Sequence, residues 1–364
     1  MKILVTDTPK LAGWKKIEIE DTKQFQINTT CTCCLSKLET VATIQDPKQS
    51  IRIGCCDSCG FVTLIDKPSH QWIIDFYAKT WNVEEGQKKF ANAEHKESRL
   101  APILEKLNIK KDAPILEIGT GRGGNFAAMK QVGYTNLVGV ENSAHRAQEV
   151  IDTLNIPIYV GGFEESSVQS SLTKHAPFKM IYTSHVMEHV FDPGQMIELC
   201  SKLQTDGDYI MIEVPNVVGE PSMGVLMFLP HLHSFSVRGV SSLLSRFGYK
   251  VIEDKSTDAE VRLIAQKTTV LPLSPGQGFF KQVKNKLESE LKLSKLSTKE
   301  SYYTFARKDS QDTSLQKKMF PISLIQDLLI KYRKNRNRTV VFRKIGDSDT
   351  IDICFPEKLS LFYK

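Results

Sequence analysis

The feature that most constrains the fold is an alternation of apolar strands and helices that begins at residue 112. Five segments have the apolar content of buried strands: 114–120, 136–142, 156–162, 179–185 and 208–215. Helices fit near 124–132, 144–154 and 193–204. This alternation predicts a parallel sheet covered by helices on both faces. A helix over 235–248 precedes strand-like pieces at 250–256 and 261–267, which we expect to close the sheet as an antiparallel pair.

A glycine-rich corner, "ILEIGTGRGGNF" (115–126), follows the first of these strands directly and precedes a helix. Glycine permits a sharp turn and close approach of a ligand, and the helix N-terminus offers N–H donors. The letters fit the G-x-G-x-x-G pattern of dinucleotide sites, but the carboxylate of Glu117 suits a cation and would repel a pyrophosphate. Glu141, 22 residues after Gly119, is placed to accept ribose hydroxyls of either ligand. An ordinary tight turn is the remaining alternative.

The order of motifs over 112–268 resembles that of the class I S-adenosylmethionine-dependent methyltransferases. The corner is similar to their first motif, "VGVENS" to the second, and "GGFEE" (161–165) to the adenine-side motif. "TSHVMEHVFDP" (183–193) and "HLHSFSVRGVSSLLSRFGYKVIE" (231–253) are similar to later segments of a group acting on small molecules. The resemblance implies a Rossmann-like seven-stranded sheet that binds S-adenosylmethionine. It implies these donor-binding residues: Tyr77, Glu117, Gly119, Thr120, Gly121, Gly123, Glu141, Asn142, Phe163, Glu164, Ser184 and His185.

Methyl transfer from a sulfonium needs alignment with the acceptor, and it needs a base only if the acceptor must lose a proton. The candidates for that base are His185, Glu188, His189, His231 and His233. The first three follow the fourth strand, at the edge where such sheets bind ligands. His185 and His189 would share a face if that segment were helical, and H-x-x-x-H also suggests a metal, although the pair lacks a third ligand. Buried structural roles are the alternatives.

Six of the eight cysteines lie between residues 31 and 59. Two C-x-x-C pairs, Cys31/Cys34 and Cys56/Cys59, have the spacing of a zinc ribbon whose knuckles hold one structural Zn²⁺. The intervening pieces "ETVATIQ" and "SIRIG" are expected to form a small sheet. Cys33 and Cys55 leave the choice of ligands open, and free or redox-paired thiols are the alternative.

A zinc ribbon, a helix over 70–81 and then the methyltransferase segment is an arrangement that resembles the sugar C-methyltransferases. In that group the ribbon and the helix cap the active site, and a tyrosine such as Tyr77 approaches the donor. Their Glu-His pair is replaced here by "PHLHSFS", so an O- or N-methyl acceptor on a sugar or similar metabolite fits equally well. We therefore divide the chain into an arm and ribbon (1–66), a helical linker (67–111), the methyltransferase domain (112–268) and a basic α+β extension (269–364).

Composition bounds the remaining choices. The chain has 364 residues, 41% of them hydrophobic and 25% charged, with a net charge of +6. No apolar run approaches the ~20 residues that cross a bilayer, and no signal peptide is evident, so we expect a soluble, cytoplasmic protein. A basic tract favours the main alternative, an RNA methyltransferase: Lys331, Arg333, Lys334, Arg336 and Arg338. A methyltransferase-like scaffold without activity is the third possibility.

Overall fold

A computed structural model describes most of the chain. Its backbone covers residues 2–5, 25–45, 50–71, 73, 99–219, 231–269, 276–291, 300–303, 341–345 and 350–354. Side chains are described for 25–43, 51–71, 73, 99–219, 231–269 and 276–285. Two features predicted from the sequence lie outside these residues: most of the linker helix with Tyr77, and the basic residues 331–338.

The described elements run as follows along the chain. The first nine strands are β1 (Lys2–Val5), β2 (Gln26–Ile27), β3 (Leu38–Gln45), β4 (Ser50–Cys56), β5 (Val62–Leu64), β6 (Asp66–Lys67), β7 (Ile115–Ile118), β8 (Leu137–Glu141) and β9 (Ile158–Val160). The others are β10 (Met180–Ser184), β11 (Tyr209–Pro215), β12 (His233–Ser234), β13 (Tyr249–Asp254), β14 (Glu260–Lys267), β15 (Glu300–Tyr303), β16 (Val341–Ile345) and β17 (Thr350–Cys354). The helices are α1 (Ala101–Lys106), α2 (Gly124–Gln131), α3 (Ala144–Leu154), α4 (Ser166–Leu172), α5 (Pro193–Lys202), α6 (Val237–Arg246) and α7 (Phe279–Leu291).

The predicted Rossmann-like sheet is confirmed. Its seven strands lie in the order β13-β14-β11-β10-β7-β8-β9, and β14 pairs antiparallel with both β11 and β13. The strands from β7 to β11 are parallel, as their apolar sequences predict. After β7 the chain adds β8 and β9 on one side of that strand, and it then adds β10 and β11 on the other side. The strand order therefore reverses at β7. Ligands bind at the carboxyl edge of such a reversal point.

Both faces of this sheet are covered. Along β7, Leu116 and Ile118 belong to one buried cluster, while Ile115 belongs to another on the opposite face. This alternation follows from the two-residue period of a strand. Glu117 lies between Leu116 and Ile118 in the same strand. All four residues of β7 are buried, and 5% of Glu117 is exposed.

Polar caps set where several helices begin. Ser143 accepts a hydrogen bond from the N–H of Arg146 at the start of α3, and Ser236 accepts one from Gly239 at the start of α6. Asp192 accepts from the N–H groups of Gly194 and Gln195 before α5. These side chains satisfy N–H groups that have no partner within the helix. The D-P pair at 192–193 therefore ends the segment after β10 at a defined residue.

A second sheet joins parts of the chain that are distant in sequence. Among the described residues it has eight strands, in the order β12-β5-β4-β3-β1-β17-β16-β15. The predicted pairing of the two strands between the cysteine knuckles is present as the antiparallel pair β3 and β4. Strand β1 pairs parallel with both β3 and β17, so the C-terminal strands continue the N-terminal sheet.

The described part of residues 1–66, called the N-terminal module below, packs closely against the seven-stranded domain. Strand β12 pairs with β5, so His233 lies opposite Thr63. The Phe61 ring is fully buried and its centroid lies 5.2 Å from that of Phe235. The carboxylate of Asp57 accepts hydrogen bonds from the N–H groups of Gly278 and Phe280 at the start of α7. Residues 231–236 are therefore held by the module. Within the described residues, none of the helices is long and apolar enough to cross a membrane.

Replacing Phe61 with Ala should destabilise the protein by about 3–5 kcal/mol, because the change leaves a cavity between the N-terminal module and the domain. Urea denaturation followed by far-UV circular dichroism measures the change. Val160→Ala, at a residue of β9 that is 48% exposed, is the control and should stay within about 0.5 kcal/mol of the wild type. Equal stability of the two variants would show that the interface contributes little.

Candidate functional site

The glycine corner lies at the carboxyl end of β7. Gly119, Gly121 and Gly123 have φ angles of +79°, +55° and +70°, a region in which glycine is favoured. A Cβ on Gly119 would lie 2.2 Å from Cγ2 of Val186, so the segment after β10 packs directly on the corner. A Cβ on Gly121 would meet no atom within 4 Å. The main chain at Gly121 therefore faces open space of the kind a ligand fills.

Glu141 ends β8 and reaches back to this corner. Its carboxylate accepts hydrogen bonds from the N–H groups of Gly121, at 2.8 Å, and Ser143, at 2.9 Å. Burial raises the pKa of Glu141, and these two N–H groups oppose the rise. A carboxylate has about four acceptor positions, so two remain for a diol beside Gly121. Asn142 follows it and is exposed, and Thr120 is buried within the corner.

Glu117 carries a buried carboxylate with incomplete hydrogen bonding. Asn125 donates to its Oε1 at 3.3 Å, while Oε2 has no hydrogen-bond partner among the described residues. Burial raises the pKa of Glu117 to about 8, and the nearby Glu141 and Glu213 add to the rise. A buried acceptor without a donor costs free energy that a cationic ligand would recover. The geometry therefore fits an ammonium or sulfonium group at this position.

A charged network extends from the strand ends on the other side of the corner. Glu213 at the end of β11 is fully buried, accepts from the Tyr182 hydroxyl at 2.6 Å and forms an ion pair with Arg262. Arg99 lies 3.2 Å from Glu260 and 3.6 Å from Glu213. No sequence motif marks Glu213 and Arg262, because only the antiparallel pairing of β14 with β11 brings them together.

His185 has a left-handed backbone (φ +54°) directly after β10, and Ser184 precedes it at the end of that strand. The Nδ1 of His185 lies 3.3 Å from Oε1 of Glu188, and its Nε2 lies 3.0 Å from Oε1 of Glu260. These two carboxylates raise the pKa of His185 to about 9, against the effect of burial. Segment 185–192 consists of turns, so the expected helical face shared by His185 and His189 is absent.

Glu188 forms the centre of a histidine cluster. It is 1% exposed, and its Oε1 lies 3.8 Å from Nε2 of His189. The rings of His189 and His231 meet edge to face, with centroids 4.7 Å apart. Burial opposes ionisation of Glu188, but His185, His189 and His231 outweigh it and lower its pKa to about 2.

His233 occupies a different environment from these three histidines. Its Nδ1 lies 2.8 Å from the Thr63 hydroxyl and its Nε2 lies 3.1 Å from the carbonyl oxygen of Val190. The ring stacks on Phe61, and burial together with Lys67 lowers its pKa well below the ordinary value. Both ring nitrogens are therefore engaged within the protein.

The loop after β9 contains the residues expected beside the adenine. Phe163 is buried, and Glu164 lies 3.2 Å from Nε2 of His70, the residue that opens the linker segment. A small cavity adjoins this pair and is lined also by Phe191 and Gln195. The linker and the adenine-side loop thus meet at one point.

Four cysteine sulfurs converge in the N-terminal module. Sulfur separations are 3.5 Å for Cys31–Cys59, 3.7 Å for Cys31–Cys34 and 3.4 Å for Cys34–Cys56. Tetrahedral zinc with Zn–S bonds of about 2.3 Å needs sulfurs about 3.8 Å apart, so the set fits the ion closely. Burial raises the pKa of Cys55 to about 12, and the Cys55 sulfur faces the carbonyl of Cys56 rather than the cluster.

Comparison with known proteins agrees with this architecture. Residues 92–254 match the family described as "Methyltransferase domain". A ubiquinone biosynthesis O-methyltransferase from Caulobacter is 27% identical over 111 residues, which is 28% of this chain and 40% of that protein. The chain therefore spans less than half the length of this curated relative.

Solved methyltransferase structures are similar at low identity. Magnesium protoporphyrin IX methyltransferase from Synechocystis, solved with S-adenosylhomocysteine, is 12% identical, with a TM-score of 0.39 over 55% of this chain and 100% of that one. A SAM-dependent methyltransferase from Archaeoglobus fulgidus is 15% identical, with a TM-score of 0.36 over 46% and 93%. The match of residues 92–254 to the family model is what shows that the chain contains a methyltransferase-domain region.

Replacing Glu117 with Gln should stabilise the ligand-free protein increasingly as the pH rises. The pKa of this carboxyl moves from 4.5 to about 8 on folding. At pH values between these two pKa values, the unfolded chain binds fewer protons than the folded chain, so the stability of the wild type falls as the pH rises. The variant should gain roughly 1 kcal/mol per pH unit from pH 5 to pH 8 and nothing further above it.

Urea denaturation at several pH values measures this difference. Glu198→Gln, at a partly exposed residue of α5 whose carboxylate forms a surface ion pair with Lys202, is the matched control and should stay within about 0.5 kcal/mol of the wild type throughout. A difference for Glu117→Gln that does not change with pH would contradict the raised pKa of Glu117 in the folded protein.

Proposed function

We propose that this chain is an S-adenosylmethionine-dependent methyltransferase that acts on a sugar or another small-metabolite acceptor. The observation that carries the proposal is the pairing of a buried, under-bonded carboxylate, Glu117, with the open main chain at Gly121. The carboxylate of Glu117 suits the cationic methionine part of the donor, and the open main chain at Gly121 admits its nucleoside part. A dinucleotide would bring its pyrophosphate beside Glu117, which Coulomb repulsion disfavours.

The donor site would use residues from three strand ends. Glu117 and the N–H groups of the glycine corner would hold the methionine portion, and Glu141 would accept from the ribose hydroxyls. Phe163 and Glu164 would border the adenine. S-adenosylmethionine supplies an electrophilic methyl group when it is bound, and the residues of the chain have to orient the acceptor and exclude water.

The acceptor would approach from the segment that follows β10. His185 and His189 are 41% and 21% exposed at their side chains, so polar groups face this edge of the sheet. We assign no base role to His233, because both of its nitrogens are engaged and burial keeps it neutral. His185 would act as a charged hydrogen-bond donor, since two carboxylates stabilise its protonated form. A polar acceptor such as a sugar fits this edge better than an apolar one.

The N-terminal module would be a structural zinc ribbon. Four thiolates complete the tetrahedral coordination of Zn²⁺ and leave no open position for catalysis. Its role would be to hold residues 231–236, since strand β5 pairs with β12 and the Ser236 hydroxyl donates to the carbonyl of Cys59. Folding of the acceptor edge would then depend on the metal.

Gly121→Val should weaken binding of S-adenosylhomocysteine at least 100-fold, because its side chain would occupy the space left for the nucleoside. Glu141→Ala should weaken it about 10- to 100-fold through loss of charged hydrogen bonds. Isothermal titration calorimetry measures both. Gly133→Val is the matched control, since Gly133 also has positive φ (+92°) with no atom within 4 Å of its Cβ position.

The control variant should bind within about threefold of the wild type, since it carries comparable backbone strain away from the corner. Retained affinity in both test variants would refute the assigned donor site. Absence of binding in the wild type would leave the scaffold alternative. The basic residues on which RNA recognition depends lie outside the described residues, and a strong salt dependence of RNA binding would favour that alternative.

Cys56→Ser should abolish stoichiometric zinc binding, whereas the adjacent Cys55→Ser should retain it, because only Cys56 points into the cluster of four sulfurs. Elemental analysis of the purified full chain measures both, with one zinc ion per chain expected in the wild type. Chelation should lower the thermal midpoint of the wild type, since binding free energy contributes to folding. Zinc-free wild-type protein of unchanged stability would exclude a structural ion.

A further inference from the structure

Three potential metal ligands outside the cysteine cluster converge beside the glycine corner. They are Glu188, His189 and His231, and one ligand atom from each lies within 4.8 Å of the others. Two of them come from the segment after β10, and the third comes from the segment that leads into β12. The set therefore exists only in the folded chain.

The approach of these two segments is fixed by the main chain. The N–H of His233 donates to the carbonyl oxygen of Glu188 at 3.2 Å, and the His233 ring is itself held by Thr63 and Val190. Because Thr63 lies in β5, the N-terminal module determines how closely His231 approaches Glu188. Such support from surrounding residues is what a preformed ligand set requires.

The carboxylate of Glu188 is incompletely satisfied for a group so deeply buried. The residue is 1% exposed, and neither oxygen has a hydrogen bond of normal geometry among the described residues. Nδ1 of His185 lies 3.3 Å from its Oε1, and Nε2 of His189 lies 3.8 Å from the same atom. A metal cation among the three side chains would add to the stabilisation that these imidazoles give the buried anion.

We propose that Glu188, His189 and His231 bind a divalent transition-metal ion. Two imidazoles and one carboxylate form a donor set that suits ions such as Fe²⁺, Co²⁺ or Zn²⁺ rather than Mg²⁺ or Ca²⁺. Three protein ligands leave coordination positions open, unlike the four cysteines, which leave none. His185, whose Nδ1 contacts the same carboxylate, would orient Glu188 as a positioning residue.

The position of the ligands indicates what the ion would do. Val186 packs on Gly119, so the chain bearing Glu188 and His189 adjoins the proposed donor site. An ion there would coordinate the oxygen of an acceptor hydroxyl and lower its pKa, and the proton would pass to water. This role rests on the proposed function, whereas binding of the ion itself does not.

Cobalt binding tests the site directly. The full chain, first loaded with one equivalent of zinc, is titrated with Co²⁺ and followed by equilibrium dialysis and visible absorption. We expect one further Co²⁺ per chain, with weak absorption typical of nitrogen and oxygen ligands and without intense thiolate-to-cobalt bands. Glu188→Gln and His231→Gln should each weaken binding at least tenfold. His145→Ala, at an exposed histidine of α3, is the control and should bind as the wild type does.

His189→Gln keeps the test decisive if the buried variants fail to fold, because His189 is partly exposed. No cobalt bound to the wild type, thiolate bands only, or unchanged affinity in His189→Gln would overturn the proposal and leave an ionic contact between Glu188 and its histidines. S-adenosylhomocysteine binding is measured on the same samples. Its absence in the wild type would refute the donor site and leave the cobalt result standing.

Discussion

The structure depends on how it accommodates four buried carboxylates at one edge of a sheet. Glu117, Glu141, Glu188 and Glu213 lie at or just beyond the ends of parallel strands, and each is at most 7% exposed. Burying an anion is costly unless a cation or several N–H donors compensate it. Glu213 has Arg262 and a tyrosine hydroxyl, and Glu141 has two main-chain N–H groups. Glu188 has its neighbouring histidines, whereas Oε2 of Glu117 has no hydrogen-bond partner among the described residues, so this edge favours a ligand that supplies a cation or a donor.

The N-terminal module contributes to this edge although it is remote in sequence. Its strand β5 pairs with β12, and its cysteine-bearing turns contact the start of α6 through Ser236. Within residues 231–236, which directly precede α6, His233 and Ser234 are thus bound as a strand and Ser236 is hydrogen-bonded to the module. A ribbon stabilised by thiolates would in this way fix one wall of a site without contacting the reaction. The buried residues of the module, among them Cys56 and Phe61, belong to the same hydrophobic cluster as Leu116 and Val240 of the domain.

Much of the central domain could be predicted from the sequence, because its signals are local. The apolar runs and the glycine corner mark strands and a turn, and both are confirmed, as is the helix predicted near 193–204. The short helix α4 was not predicted, since "SSVQSSL" has few apolar positions. The turns over 185–192 replaced the expected helical face because the D-P pair delays the helix to Pro193. Pairing of β1 with β17 and the ion pairs of Arg262 could not be predicted, because they depend on contacts between segments far apart in the chain.

The same contrast explains the histidines. From spacing, His185 and His189 form the natural pair, and His231 and His233 form another. In the structure, Glu188 contacts His185 and His189 and lies near His231, whereas His233 turns into the core toward Thr63. The two-residue period of a strand would place residues 231 and 233 on the same side of the main chain, but His231 precedes β12 (His233–Ser234) and does not follow that period. Glu117 lies two residues before Gly119 and Glu188 lies two residues after Val186, and Gly119 and Val186 are in contact. Glu117 would face the charge of a methyl donor, and Glu188 would face the cation that prepares the acceptor.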